Sequence, residues 1–290
     1  MSANAQDGSG WGVYGQVFNA QGVKQGAEFL VNTATSVDQL WPHVSALSGG
    51  GFVTTWRDNS TDNAKAQIFD ASGVKVGSEF TLNAYTSDWQ FAASTTALAD
   101  GGFWATWQSA GQDGSSWGIF AQRFDSTGSK VGSEIRVNTY TQDQQNIPQI
   151  SSRADGSFVV AWSSQGQDGS DWGIYVQQFD ANGVKVDAEI KINDVTYSAQ
   201  YNPDVLALPN GKFVVTWEAA NAQDGSDWGV FSKTWDPVSG LNGLVVAGDG
   251  ANNFINQANA VQIDGGAGAD TLQGGADNTT YIVDHVGDLI

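Results

Sequence analysis

Cysteine is absent from the 290 residues, which excludes disulfides, zinc ribbons and thiol catalysis. Histidine is nearly absent too. His43 and His285 are too few to furnish a histidine-rich transition-metal site or a histidine-based triad. Basic residues are scarce: 12 Lys and Arg face 31 Asp and Glu, a net charge of −19, so phosphate backbones and anionic membranes are repelled and nucleic acid is not an expected partner. No apolar run is long enough to span a membrane. The opening Met1-Ser2-Ala3-Asn4-Ala5-Gln6-Asp7 has neither a basic nor an apolar stretch, so no Sec-type signal is expected. Helical periodicity is missing throughout, which leaves strands. What is present, 40% hydrophobic residues with 12 Trp, is ample for a large core.

Aligned on itself, the chain is a repeat. An apolar run ending in Trp recurs at Trp56, Trp107, Trp162 and Trp217, spaced 51, 55 and 55 residues apart. An aromatic followed by Asp or Asn keeps the same period at Phe18-Asn19, Phe69-Asp70, Phe124-Asp125, Phe179-Asp180 and Trp235-Asp236. A period near 50 with several short β-rich runs per unit reads as propeller blades of four strands, A to D. In the third unit the strands are expected near residues 149–152, 158–163, 173–179 and 188–193, with turns at Asp155-Gly156 and Asn182-Gly183. The N-terminal piece supplies strands C and D alone. It is therefore expected to close a ring by completing the sheet begun near Val205 and Phe213. The expected fold is all-β, a propeller-like ring of about four, or five, blades over residues 1–240; an open array or a chain of β-sandwich modules is the alternative. The tryptophans that end strand B are expected in the core, and Trp104 breaks the repeat where other units have Val53, Val159 and Val214.

Two loop motifs recur. Gln-Asp-Gly-Ser joins strands B and C at residues 6–12, 112–118, 167–173 and 223–229; in the unit of Trp56, Asp58 to Lys65 takes its place. Asp38-Gln39-Leu40-Trp41-Pro42 and Asp143-Gln144-Gln145-Asn146-Ile147-Pro148 join strand D to the next strand A. In an antiparallel meander both emerge at one end. That face would carry Asp7, Asp113, Asp168 and Asp224 with Trp11, Trp117, Trp172 and Trp228, plus Trp41 and Trp89. Carboxylates beside aromatic rings suit a carbohydrate, such as an extracellular polysaccharide or cell-surface glycan. A residue present in every blade is also a natural packing element, with Gln-Asp-Gly-Ser as a tight turn and Trp as filler between blades. One carboxylate per loop makes a poor calcium cage. Lys24, Lys75, Lys130 and Lys185, each four residues before a Glu, read as exposed surface pairs. No catalytic residue is assigned, because no acid stands out from its repeat-mates.

Residues 241–290 differ. Gly265-Gly266-Ala267-Gly268-Ala269-Asp270-Thr271-Leu272-Gln273 matches the glycine-rich nonapeptide G-G-x-G-x-D-x-U-x. Counting in nines puts Phe254, Ile263, Leu272, Tyr281 and Ile290 at the apolar eighth position, and Asn252, Val261, Asp270, Thr279 and Asp288 at the sixth. This register resembles the hemolysin-type (RTX) calcium-binding repeat. The resemblance implies a parallel β-roll in which units 18 residues apart stack and share Ca²⁺, with Gly248, Gly250, Asn252, Gly266, Gly268, Asp270 and Asp288 on the binding side and the opposite side disabled. Glycines suit this chemistry, because they let backbone carbonyls crowd a hard cation.

The Gly-Gly-Phe-Val, Gln-Asp-Gly-Ser and Phe-Asp-Ala-x-Gly segments, across most of residues 6–236, resemble tandem repeats of large secreted bacterial RTX proteins and adhesins. That resemblance implies type I secretion, an extracellular location and a calcium-binding protein whose propeller is an adhesion or glycan-binding scaffold. A polysaccharide-active glycosidase or lyase is the alternative. Because the chain opens and stops inside repeat units, a monomeric module or a fragment of a longer chain is expected.

Overall fold

The computed structural model describes residue 8, residues 10–220 and 228–235, and four short strands further on. A hairpin of β1 (Tyr14–Phe18) and β2 (Lys24–Leu30) comes first. Blade I follows with β3 (Gln39–Ala46), β4 (Phe52–Asp58), β5 (Asn63–Phe69) and β6 (Lys75–Thr81). Blade II holds β7 (Gln90–Ala97), β8 (Phe103–Ala110), β9 (Trp117–Phe124) and β10 (Lys130–Arg136). Blade III holds β11 (Gln145–Ser152), β12 (Phe158–Gln165), β13 (Trp172–Phe179) and β14 (Lys185–Lys191). Blade IV has three strands, β15 (Gln200–Ala207), β16 (Phe213–Ala220) and β17 (Trp228–Trp235). Each of blades I to III is a four-stranded meander in chain order, as the repeat requires. Strand A of blade III starts earlier than expected, at Gln145, because a bulge between Asn146 and Gln149 lets pairing resume beyond Pro148, which has no N–H to give.

The expected ring closure is not among the described strand pairs. β1 and β2 make a sheet of their own, and the place beside β16 is taken by β17, the third strand of its own repeat. By contacts the chain divides into two compact units, Met1–Val205 with Thr216–Phe231, and Leu206–Val215 with Ser232–Ile290. Within the second unit, β18 (Phe254–Gln257) pairs in parallel with β20 (Thr271–Gly274), and β19 (Gln262–Asp264) with β21 (Thr280–Ile282). Ile263 stands opposite Tyr281, one 18-residue repeat apart. The seven residues expected to hold calcium lie outside the described residues.

The core lies between successive blades. Trp56, Trp107 and Trp162 are among the largest fully buried side chains, as expected for strand B. The interfaces up to blade III also fill the space over a turn glycine of the following blade. Phe80 of blade I lies over Gly128 of blade II, where an added Cβ would come within 2.6 Å of its ring. In the next interface Ile135 stands at the Phe80 position and is smaller. There Trp104 supplies the missing volume: a Cβ on Gly183 would meet its ring at 2.7 Å. The tryptophan that breaks the repeat is thus a packing compensation. Inner strands are joined by hydroxyls, with Ser45 Oγ donating to Thr95 O at 2.8 Å and Ser152 Oγ to Ala97 O at 2.8 Å.

The repeated Lys and Glu residues do more than pair on the surface. Glu79 Oε2 accepts from Thr33 N at 2.8 Å, Glu134 Oε2 from Ala84 N at 2.7 Å, and Glu189 from Thr139 N. Lys130 Nζ donates to Asn83 O at 2.9 Å and Lys185 Nζ to Thr139 Oγ1 at 2.9 Å. Each pair therefore clamps the segment that precedes its own blade.

The Trp104 compensation has a double-mutant test in urea unfolding. Trp104→Val is expected to cost about 2–4 kcal/mol as a cavity and Ile135→Phe about 1–3 kcal/mol as overpacking. The double variant, which restores the blade I pattern, should lie within about 1 kcal/mol of the parent.

Candidate functional site

In blades II and III the Gln-Asp-Gly-Ser loops spend their polar groups internally. Asp113 Oδ1 accepts from Ser115 N at 3.1 Å and its Oδ2 from Asn138 Nδ2 at 3.0 Å; Asp168 does the same with Ser170 N at 3.1 Å and Asn193 Nδ2 at 3.3 Å. Gln167 Nε2 donates to Glu189 Oε2 at 2.8 Å, and Gln112 Nε2 to Glu134 Oε1. Gly118 and Gly173 make room for these carboxylates: a Cβ at either would come within 2.5 and 2.8 Å of Asp113 and Asp168. The motif is a turn that seals its own blade. Trp117 stacks on Phe91 at 5.0 Å and Trp172 meets Tyr201 edge-on at 5.0 Å, whereas Trp11 and Trp228 are exposed. Asp7 and Asp224 lie outside the described residues.

The strand-D asparagine gathers these pieces. Asn138 Oδ1 accepts from Ile119 N at 2.7 Å, and its Nδ2 lies near Asp113, Tyr140 O and Gln145 Oε1. Asn32 and Asn193 likewise reach Gln39 and Gln200. In blade I, whose loop lacks the motif, Asn63 takes the aspartate's place and accepts from Asn83 Nδ2 at 2.6 Å. Short sequence motifs mark the aspartate and not the asparagine that holds it.

A second feature lies at the inner strands. At the start of the inner strands of blades I to III the chain bulges, between Leu40 and His43, Phe91 and Ser94, and Asn146 and Gln149. Trp41, Ile147 and Asn202 occupy equivalent positions with φ of 51°, 56° and 50°. Left-handed φ is costly for any residue with a Cβ, and most of all for β-branched Ile147. Side chains of neighbouring strands hold these positions: Ile147 N donates to Gln108 Oε1 at 2.8 Å, and Asn202 Nδ2 to Glu218 Oε2 at 3.0 Å. The available signal was the residue before proline, Trp41-Pro42, Ile147-Pro148 and Asn202-Pro203, with a different residue in each blade.

Between these bulges lies a cavity of about 470 Å³, lined by Trp41, His43, Phe91, Gln108, Ile147 and Gln149 from blades I to III. Here the repeat is abandoned. In register with His43 stand Ser94, Gln149 and Asp204; in register with Arg57 stand Gln108, Ser163 and Glu218. The expectation that no acid departs from its repeat-mates is therefore corrected at Asp204 and Glu218. The Arg57 guanidinium is 3.9 Å from the Phe91 ring centre, 5.1 Å from Trp89 and 5.6 Å from Trp41, and it pairs with Asp62 at 2.5 Å. That platform leaves Trp41 49% and Trp89 51% exposed. Burial holds the His43 imidazole below its ordinary pKa against the opposing charge of Asp204, and its Nδ1 is buried without a hydrogen-bond partner. The cavity thus combines open aromatic edges with neutral donors and acceptors. No described helix is long and apolar enough to cross a membrane.

No family model and no characterised protein matches the sequence. Solved structures do match in fold. An α-L-arabinanase from Penicillium chrysogenum complexed with arabinobiose superposes with a TM-score of 0.53 at 12% identity, over 68% of this chain and 62% of that one. An α-L-arabinofuranosidase from Lactobacillus brevis gives 0.46 at 12%, over 68% and 66%, and a sialidase from Streptococcus pneumoniae gives 0.48 at 13%, over 74% and 34%. The chain therefore spans about 62% of the arabinanase's length. With its repeated four-stranded antiparallel sheets, the described fold is that of an all-β propeller.

His43 gives a pH test. Its folded pKa lies below the ordinary 6.5, so the unfolded state binds the proton more readily, and stability, full above about pH 6.5, declines as pH falls through the lowered value. Urea midpoints of the parent should fall from pH 7 towards about pH 5, and His43→Gln should flatten that slope.

Proposed function

We propose that this propeller acts on a polysaccharide at the inner-strand mouth. The observation that carries the reading is the cavity of Trp41, Phe91, His43, Gln108 and Gln149, where three blades contribute and the repeat is broken. A sugar has apolar C–H faces for the Trp41 and Trp89 rings and hydroxyls for the amides and imidazole. Left-handed backbone at the equivalent positions Trp41, Ile147 and Asn202 supports a functional mouth, because such strain persists where the surroundings over-determine it. Asp204 and Glu218 would supply the acid pair of a glycosidic cleavage, one protonating the leaving oxygen and the other serving as base or nucleophile. The arabinanase, whose fold this chain shares, was solved with arabinobiose, which makes neutral arabinans the first substrates to try.

Release of reducing ends from arabinan and other neutral polysaccharides tests the reading. Asp204→Asn and Glu218→Gln should each lower turnover by at least about 100-fold with binding retained. Trp41→Ala should weaken binding by about tenfold or more, as expected for losing one ring platform. Binding without turnover in the parent would identify the site as the glycan-binding scaffold instead. Neither binding nor turnover would overturn the proposal.

The C-terminal unit carries a separate proposal, that the nonapeptide register binds Ca²⁺ and marks an extracellular protein exported by type I secretion. The 18-residue spacing between Ile263 and Tyr281 in a parallel pair supports it. In calorimetric titration Asp270→Ala should lose calcium affinity; unchanged affinity would remove the site.

A further inference from the structure

The loop of blade I, which lacks the Gln-Asp-Gly-Ser motif, lies beside the cavity. The residue just before its third strand is Asp62, where the other units have Trp11, Trp117, Trp172 and Trp228. Backbone bonding supports the equivalence: Asp62 O accepts from Gln90 N at 2.8 Å as Trp11 O accepts from Gln39 N at 2.7 Å. We propose that this exchange builds a second sugar subsite on the ring of Trp89, outside the cavity, for the neighbouring residue of a neutral glycan chain whose first residue sits in the cavity. The proposal rests on the reading of the cavity as a glycan site and extends it from one sugar residue to two.

Coupled departures from the repeat meet here. Blade III sets Trp172 edge-on against Tyr201 of the next blade at 5.0 Å. Phe91 is in register with Tyr201, and what blade I sets against it is the Arg57 guanidinium, 3.9 Å from the ring centre. Arg57 stands where other blades have Gln108, Ser163 and Glu218, and Trp89 stands where other units have Asp38, Gln144 and Ala199. Arg57 pairs with Asp62 at 2.5 Å, its side chain is 8% exposed, and its Nε is buried without a hydrogen-bond partner. The rings and Asp62 are therefore what hold it. A loop tryptophan has been exchanged for a cation buried among rings, and Trp89 is left 51% exposed.

The Trp89 platform is rigid and open. Its ring centre lies 5.6 Å from that of Phe91 and 5.1 Å from the guanidinium. The backbone is fixed on both sides, because Gln90 N donates to Asp62 O and Ala110 N donates to Trp89 O at 2.9 Å. A ring held in this way loses little freedom when a ligand settles on it. Phe91 connects it to the cavity, since Phe91 lines that space and also meets Trp41 edge-on at 5.0 Å. Trp41 lines the cavity as well, whereas Trp89 stands beside it. The two tryptophans are thus placed for two residues of one chain. Charge selects the class of sugar: Arg57 is already paired with Asp62, and Asp88 precedes Trp89 in the chain, so a uronic acid is repelled while a neutral residue offers C–H faces to the ring.

Titration of the full chain with arabino-, xylo- and cello-oligosaccharides of one to four residues tests the subsite. Parent affinity should rise by at least about tenfold from the shortest member bound to the tetrasaccharide, the gain expected when a second ring engages. Trp89→Ala should remove that rise while leaving affinity for the shortest member within about twofold of the parent. Arg57→Gln, which installs the residue of blade II, should flatten the rise in the same way, because Arg57 positions the ring. Trp89→Phe, which keeps an aromatic face, should retain most of it. An unaltered rise in Trp89→Ala or Arg57→Gln would overturn the proposal, and so would equal loss for the shortest and longest members, which would make Trp89 part of the cavity site. A parent whose affinity does not grow with length would overturn the subsite and leave the cavity reading standing. A parent that binds none of the three series would overturn both.

Discussion

The buried asparagine at the end of the fourth strand is the contact on which the rest of the structure depends. A propeller must pass the chain from the outer strand of one blade to the inner strand of the next, and that passage exposes backbone groups between two cores. Asn138 meets the problem with one side chain, accepting from strand C and lying within bonding distance of the loop aspartate, the linker and the buried Gln145 of the next blade. Such a hub can be repeated because every partner is either backbone or a residue the repeat carries along. Where the loop aspartate is absent, Asn63 replaces it, and Asn83 keeps its bonds to Ala64 N and Tyr85 O while Gln90 Oε1 is left without a partner.

From that hub follows a division of labour on the loop face. In blades II and III the recurrent loop residues are consumed in building it: the loop aspartates hold the asparagine, the loop glutamines hold Glu134 and Glu189, and those glutamates hold the preceding linker. Freedom to bind is left to positions that differ between blades. These gather at the starts of the inner strands, where Trp41 and Ile147 sit in left-handed backbone and line a cavity with few charges of its own.

Much of the fold was legible in the sequence. The period of the strand-B tryptophans gave the blades, and turn residues marked strand limits closely enough to draw each meander. The site was less legible, for a physical reason. Loop motifs attract notice because they recur, and recurrence reflects packing. The cavity is written in differences, His43 against Ser94, Gln149 and Asp204, which acquire meaning once inner strands are known to face one another. Trp104 shows the same limit in the core: its role depends on Ile135 and Gly183, set on a neighbouring strand and the next blade. Ring closure by β2 is not among the described strand pairs: the strand that follows the loop of residues 223–229 is readable as β17, but a count of strands does not fix which edges pair.

The central claim is that recognition belongs to the inner-strand mouth and that the recurrent loop tryptophans are structural. Indole N–H resonances report it directly during titration with a neutral oligosaccharide. The account requires the signals of Trp41 and Trp89 to shift with saturation while those of Trp11, Trp172 and Trp228 stay in place. Shifts confined to the loop tryptophans, with Trp41 unmoved, would contradict it.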